Sequence, residues 1–480
     1  MQAPFRVVKE KYCGLSSVAK ATFWFFFCNI LIKCISMVTT PIFTRILPTE
    51  EFGVFNTFQS WNMILTILVT LRLDYGVFNK GMSLYADHRE DYTATMQCLT
   101  TFLALLALSV YLVFQHQINR ITGLTTFLTV ALFAQVLFYS AIPFWNLRQR
   151  YDFRYKSVVF VTLSMSLLQT VLGIFGVLIT GHKSIGRILP ILLVNICFGM
   201  GIYIYNFHKA DRCFVKEYAK FALIFNLPLL PHYFSSYILD QFDRIMIQHM
   251  VGYSAVGIYG IAYSSGYVIK IITSSLNTTL IPWMYRQLEH KQFLNLQECI
   301  GSITHCVLVS FMGYMAFAPE VIRIFAPAEY RLAVYAVSPL AATAFLIFLY
   351  ELYANIELFY NSNKFSMYIA ISGAALNVLL NYICIPRFGF LAAAYTTLAS
   401  YLYFAVCHYL YMNHVTRNEI GQRLFSVSGF CFQLIVITVY ASAINLLYPH
   451  TFLRYTWIGL MLLYTFVQRK KLFKFIQLLR

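Results

Sequence analysis

Three basic side chains fall inside runs of apolar residues, where an ionised group is costly and is kept for a purpose. Lys33 stands midway through FFFCNILIKCISMVTT, Arg72 lies in LVTLRLDYGVF, and Lys270 lies inside SSGYVIKIITSSLNTTLIPW. The chemistry open to such cations is capture of an anion: lysine is a compact point charge and arginine a planar fork, and both suit phosphate or pyrophosphate. Lys33 is far enough from either end of its run that snorkelling to the headgroups is strained. Lys270 is flanked by Ser and Thr that suit a polar passage. Arg72 is followed by Asp74, and these two read equally as a local ion pair and as a ligand contact. Asp240 and Arg244 are four apart and share one helical face, with Asp243 beside them, which reads as a structural latch. Glu351, in FLIFLYELYANIELFY with Glu357, is open to two roles: neutralising a cation, or taking up a proton for coupling. Asn377 and Asn381 are spaced for hydrogen bonds across helices. Tyr259, Tyr263 and Tyr267 form a stripe that reads as packing rather than sugar contact.

Bond-making chemistry has no comparable signal. The 11 cysteines stand singly, without CxxC or Cys/His ligand spacing, so neither a disulfide framework nor a zinc site is expected. No GxxxxGK[ST] phosphate loop is present, so the chain does not hydrolyse ATP itself. No catalytic residue, metal or cofactor is expected, and the chain reads as a non-enzyme.

The elements that must position these charges follow from composition. With 480 residues, 59% hydrophobic and only 11% charged, the chain has too few charges to cover a soluble globule. It is expected to be an all-α polytopic membrane protein, since a crossing helix needs about 20 mostly apolar residues. Fourteen such spans are placed at 17–40, 52–73, 95–114, 123–145, 157–180, 187–208, 221–243, 256–283, 297–318, 333–357, 366–386, 389–411, 424–447 and 451–468. Of the 36 Lys and Arg, 24 then fall on one side and 9 on the other, which puts both termini in the cytoplasm by the positive-inside rule. The net charge of +17 therefore reads as topology and headgroup contact, with no nucleic-acid partner. MQAPFRVVKEKYCGLSSVAK reads as an uncleaved cytoplasmic tail, because the apolar run after it has no small-residue cleavage signal. Trp24, Trp61, Trp145 and Trp283, near span ends, read as interfacial belt residues.

Glycine landmarks suggest an internal repeat. Gly53 and Gly257 are 204 residues apart, and Gly186 and Gly389 are 203 apart. Two six-helix lobes of shared orientation follow, related by an axis along the membrane normal. The expected organisation is a tail (1–16), an N-lobe (17–220), a C-lobe (221–412), and two further helices with a basic tail (413–480). Lys33 and Arg72 then belong to one lobe and Lys270 to the other, and a cleft lined by all three would bind an anionic lipid headgroup.

Several stretches carry a family resemblance. Thr44-Arg45-Ile-Leu-Pro48-Thr-Glu-Glu51-Phe52-Gly53, Asp74-Tyr-Gly76-Val-Phe-Asn-Lys80-Gly81, Pro228-Leu-Leu-Pro231-His232, Asp243-Arg244, Tyr360-Asn-Ser-Asn-Lys364 and Asn381-Tyr-Ile-Cys-Ile-Pro386-Arg-Phe-Gly389 together resemble the Wzx-type repeat-unit flippases. These belong to the multidrug/oligosaccharidyl-lipid/polysaccharide exporter superfamily. The resemblance implies a bacterial inner-membrane protein that translocates undecaprenyl-pyrophosphate-linked oligosaccharide for O-antigen or capsule assembly, among membrane lipids and other assembly proteins. The related lipid II flippases are similar in placing essential cations on their first, second and eighth helices, which here carry Lys33, Arg72 and Lys270. Two of these are Lys where an Arg fork would be expected. A drug or small-cation exporter of the same superfamily, a membrane-embedded glycosyltransferase or polymerase, and a structural scaffold are the alternatives. The first would favour acidic cavity residues and the second a sizeable extracytoplasmic loop.

Overall fold

The computed structural model describes residues 16–362 and 364–469, apart from the side chains of Ser17, Tyr267, Val268 and Lys364. The basic tails expected at either end fall almost wholly outside these residues. Everything regular among the described residues is helical. Each expected span falls on helical chain. Nine helices among the described residues are long and apolar enough by themselves to cross a membrane, and a bent pair makes a tenth. The figure of fourteen is not reached by length and composition alone: the 216–250 stretch is broken, and the last helix is only 17 residues long. The chain is a multi-pass membrane protein.

It divides into two units. The first comprises Met1–Glu51 and Phe58–Phe234. Its helices are α1 (Ser17–Ile46), α2 (Thr49–Thr70), α3 (Gly76–Leu84), α4 (Arg89–Val113), α5 (Gln115–Thr122), α6 (Thr126–Tyr139), α7 (Ala141–Tyr151), α8 (Tyr155–Ile179), α9 (Lys183–Lys209) and α10 (Lys216–Asn226). The Ser16 hydroxyl caps α1 by accepting from the Ala19 amide at 3.2 Å. Helices α8 and α9 pack closely because Gly176 meets Gly186, where an added Cβ would lie 2.1 Å from the facing carbonyl oxygen. Carboxamides tie α2, α6, α9 and α8 together in one chain. Gln135 donates to Asn62 at 2.8 Å, Asn195 to Gln135 at 3.2 Å, and Gln169 to Asn195 at 2.7 Å. Lipid offers no partner to such groups, so they are satisfied within the bundle. Trp145, expected at a lipid interface, is instead buried in this unit's core beside Ile142 and Val158.

The second unit comprises Phe52–Thr57 and Ser235–Arg480. After α11 (Leu230–Met250), which begins in the first unit, come α12 (Tyr253–Ser265), α13 (Tyr267–Glu289), α14 (Phe293–Ala316), α15 (Ala318–Phe325), α16 (Val334–Phe359), α17 (Lys364–Phe388), α18 (Leu391–Ile420), α19 (Val427–Leu447) and α20 (Thr451–Val467). The most buried of the apolar helices is the Ala328–Phe359 span containing α16, with α18, α19 and α13 packed around it. The first turns of α2 belong here because Gly53 lets them touch α12. An added Cβ at Gly53 would sit 1.8 Å from the Tyr253 carbonyl oxygen and 3.1 Å from the Gly257 nitrogen. Thus Gly53 and Gly257, the pair read in the sequence as a landmark of a repeat, lie side by side. At the far end of the unit Arg454 of α20 grips Glu320 of α15 with both Nη atoms, at 2.5 and 2.6 Å.

Candidate functional site

Helices α12 and α13 are bent by 41° at the break after Ser265. The break leaves Gly266 and Lys270 facing a small cavity, about 40 Å³, which is also lined by Asp240, Tyr263, Thr397 and Tyr401. Lys270 Nζ is 3.6 Å from Asp240 Oδ1, and both side chains are partly exposed, at 35% and 45%. The Tyr263 hydroxyl joins them: it donates to Asp240 Oδ1 at 2.7 Å and accepts from Lys270 Nζ at 3.2 Å. The Arg244 guanidinium lies over the same ring, 4.2 Å from its centroid. One ammonium, a carboxylate and a phenol thus meet at a small, largely apolar cavity, with the Arg244 guanidinium behind the phenol ring. Such a group can trade its internal carboxylate for an external anion, since the ammonium needs one negative partner and either will serve.

Asp240 and Arg244 do not form the ion pair their spacing predicts. Arg244 Nη1 donates to the Asp240 backbone carbonyl at 3.1 Å and to Gln241 Oε1 at 2.7 Å, while the Asp240 carboxylate turns to Lys270. The reason is register: α13 brings an ammonium to the face of α11 on which Asp240 lies, and Tyr263 fills the space beside Arg244. Asp243 is the latch instead. Its carboxylate is 3% exposed and accepts from Tyr259 at 2.8 Å, Thr397 at 2.7 Å and Asn381 at 2.7 Å. One side chain of α11 thereby straps α12, α17 and α18 together. The tyrosine stripe is therefore more than packing, because Tyr259 and Tyr263 serve the two aspartates; the Tyr267 side chain lies outside the described residues. Glu351 of α16 accepts from the Asn277 amide of α13, two turns beyond Lys270.

In the first unit, Arg72 and Asp74 form a local pair, 3.6 Å apart, with the Arg72 guanidinium 4.9 Å from the Tyr75 ring centroid. They sit in a turn where Leu71 and Arg72 have φ of 48° and 55°. Such left-handed backbone in bulky residues is strained and tends to occur at functional sites. Asn226 of α10 fixes this turn by donating to the Leu71 carbonyl. Lys33 lies on an exposed face of α1 and makes no ion pair or hydrogen bond among the described residues. The structure thus joins Lys270 with Asp240 and Arg72 with Asp74, and leaves Lys33 by itself.

One constellation was not anticipated. Glu357 and His408, on α16 and α18, are both buried, with His408 Nδ1 3.0 and 3.1 Å from the two carboxylate oxygens. Glu357 attracts notice in the sequence as an acid in an apolar span, but His408, 51 residues on, carries no local signal.

The fold is similar to that of solved membrane transporters. The solved lipid II flippase MurJ in an inward closed conformation superposes with a TM-score of 0.68, at 13% identity, over 93% of this chain and 99% of that one. An inward-facing multidrug MATE transporter gives 0.55, at 16% identity, over 85% and 96%. The family model described as "Polysaccharide biosynthesis protein" matches residues 18–287, and the chain belongs to that family. It is 21% identical over 416 residues to a Haloferax volcanii protein named "Probable low-salt glycan biosynthesis flippase Agl15", covering 82% of this chain and 84% of that one. An Lsg locus protein of Haemophilus influenzae is 30% identical over 113 residues, and there the match spans only 28% of the relative's length.

Proposed function

We propose that this protein moves polyprenyl-pyrophosphate-linked oligosaccharide across a bacterial cytoplasmic membrane, for O-antigen or capsule assembly, with both of its termini in the cytoplasm. The undecaprenyl carrier and the oligosaccharide repeat unit follow from the family resemblance. The observation that carries the reading is Lys270, an ammonium held at a small cavity between apolar helices by a carboxylate that an anion can replace. Lys33 and Arg72, both in the first unit, are the further cations that the sequence points to as anion contacts. The family match and the flippase named among the relatives support a lipid-linked glycan over a free anion.

In this mechanism the pyrophosphate takes the place of Asp240 at Lys270, while the polyprenyl tail stays in lipid. A change of access then releases the headgroup on the other side. As the anion leaves, Asp240 returns to Lys270, so the ammonium regains a negative partner.

The test is translocation of a labelled polyprenyl-pyrophosphate oligosaccharide in proteoliposomes by the native chain, Lys33→Ala and Lys270→Ala. The native protein is expected to move the lipid and both variants to move it poorly. Export of organic cations by the native chain, with no lipid movement, would replace this reading with the drug-exporter alternative.

A further inference from the structure

The buried Glu357–His408 pair lies outside the anion site, yet an unbroken run of rings leads from it to that site. The Tyr350 ring stacks on the His408 imidazole, with centroids 5.3 Å apart and planes 23° from parallel. The other side of the run is Tyr401, stacked on Tyr350 at 6.1 Å and 26°. Tyr401 lines the cavity that holds Lys270 and Asp240. A second strand runs alongside: Glu351, the neighbour of Tyr350 on α16, accepts from Asn277 on the helix that carries Lys270. Every residue named belongs to the second unit.

We propose that Glu357 and His408 form a proton-binding site whose occupancy is linked, through Tyr350 and Tyr401, to anion binding at Lys270. The inference rests on the flippase reading above and adds the ion to which the anion site answers. Both side chains are almost fully buried, at 0% and 3% exposure, so the pair is stable only when its charges cancel. With one shared proton the pair is neutral overall, as carboxylate with imidazolium or as carboxylic acid with imidazole. Loss of that proton leaves a net negative charge inside the helices, answered only by neutral donors, the imidazole of His408 and the Ser366 hydroxyl at 3.3 Å. The groups that face the pair are Tyr350 from α16, Ser366 from α17 and the Phe404 ring from α18. Of these only Tyr350 is ionisable, and the Lys364 side chain lies outside the described residues. Glu357 is also close to the end of α16, where the Ser362 amide donates to its backbone carbonyl at 2.9 Å.

A negative charge arriving at Lys270 favours the protonated pair. By reciprocity, protonation of the pair then favours the anion. A purely structural ion pair keeps its proton throughout and shows no such link.

The experiment adds farnesyl pyrophosphate to the full chain in lipid nanodiscs and counts protons with an indicator dye in weak buffer. Native protein is expected to take up a proton on binding, with affinity rising towards acid by up to about tenfold per pH unit in the linked range. Glu357→Gln and His408→Gln are expected to bind without proton uptake and with a flat pH profile. Tyr350→Leu, which leaves the pair intact, should weaken the link while binding persists. Equal proton uptake in native and variant proteins overturns the proposal, as does pH-independent binding by the native chain.

If the polar variants do not fold, Tyr350→Leu alone decides the matter, because it changes neither member of the pair. The thermal midpoint of the ligand-free protein gives a separate reading. Native protein should lose stability relative to the Glu357→Gln/His408→Gln double variant as pH rises and the pair is stripped of its proton. A native chain with that slope but no affinity for pyrophosphate overturns the flippase reading and the link with it, and leaves the proton site standing. Identical slopes overturn the site.

Discussion

Lys270 finds its counter-charge in Asp240, on another helix, and the Tyr263 hydroxyl touches both. Replacing Lys270 by Ala is therefore expected to weaken binding of a pyrophosphate lipid. A hydrogen bond to a charged group is worth about 1.5–3 kcal/mol, so the loss is on the order of 10-fold to 150-fold. Lys270→Arg should retain part of the affinity. Equilibrium binding of a polyprenyl pyrophosphate checks both, and equal affinities for Ala, Arg and native protein would remove Lys270 from the site.

Asp240→Asn separates competitor from support. If the carboxylate occupies the place of the substrate phosphate, Asn strengthens lipid binding and slows turnover. If Asp240 only positions Lys270, Asn weakens both. Binding and transport measured on the same preparation distinguish these, and the first result is expected.

Asp243→Ala is expected to destabilise the protein, since it leaves buried donors on Tyr259, Thr397 and Asn381 without their acceptor. Each such loss costs about 1–3 kcal/mol. Asp243→Asn should cost less, because its amide oxygen still accepts. Thermal midpoints in detergent give the order, and a stable Asp243→Ala would contradict the latch.

Gly53→Ala should also lower the midpoint, because its Cβ would meet the backbone of Tyr253, which cannot swing aside as a side chain can. Overpacking of this kind costs about 1–3 kcal/mol. Gly301→Ala is the control, with nothing within 4 Å of the added atom.

Glu320, in the short link helix α15, offers a pH test. Burial opposes its ionisation, but hydrogen bonds from Arg454 and Tyr455 outweigh this and hold its carboxyl below the usual value of 4.5. The folded state is thus favoured by ionised Glu320 above that value, and the gain disappears as pH falls through the lower folded value. The midpoint of native protein should exceed that of Glu320→Gln at neutral pH, and the gap should close in acid.

Much of this architecture follows from local sequence. Apolar runs fix where helices form because lipid leaves a backbone no other way to satisfy its polar groups, and the motifs from Thr44 to Gly389 mark the family. Lys33, Arg72 and Lys270 stand out for the same reason, as charges in apolar surroundings. Which acid answers which base is a different kind of fact. Spacing along one helix points Asp240 to Arg244, but the ammonium that reaches its carboxylate comes from α13, and the carboxylate that stays buried is that of Asp243. His408 is one histidine among 11 until α18 packs along α16 and sets it against Glu357. Helix periodicity is a property of a few consecutive residues, whereas the pairing of charges depends on the rotation and register of helices far apart in the chain, which only their packing determines.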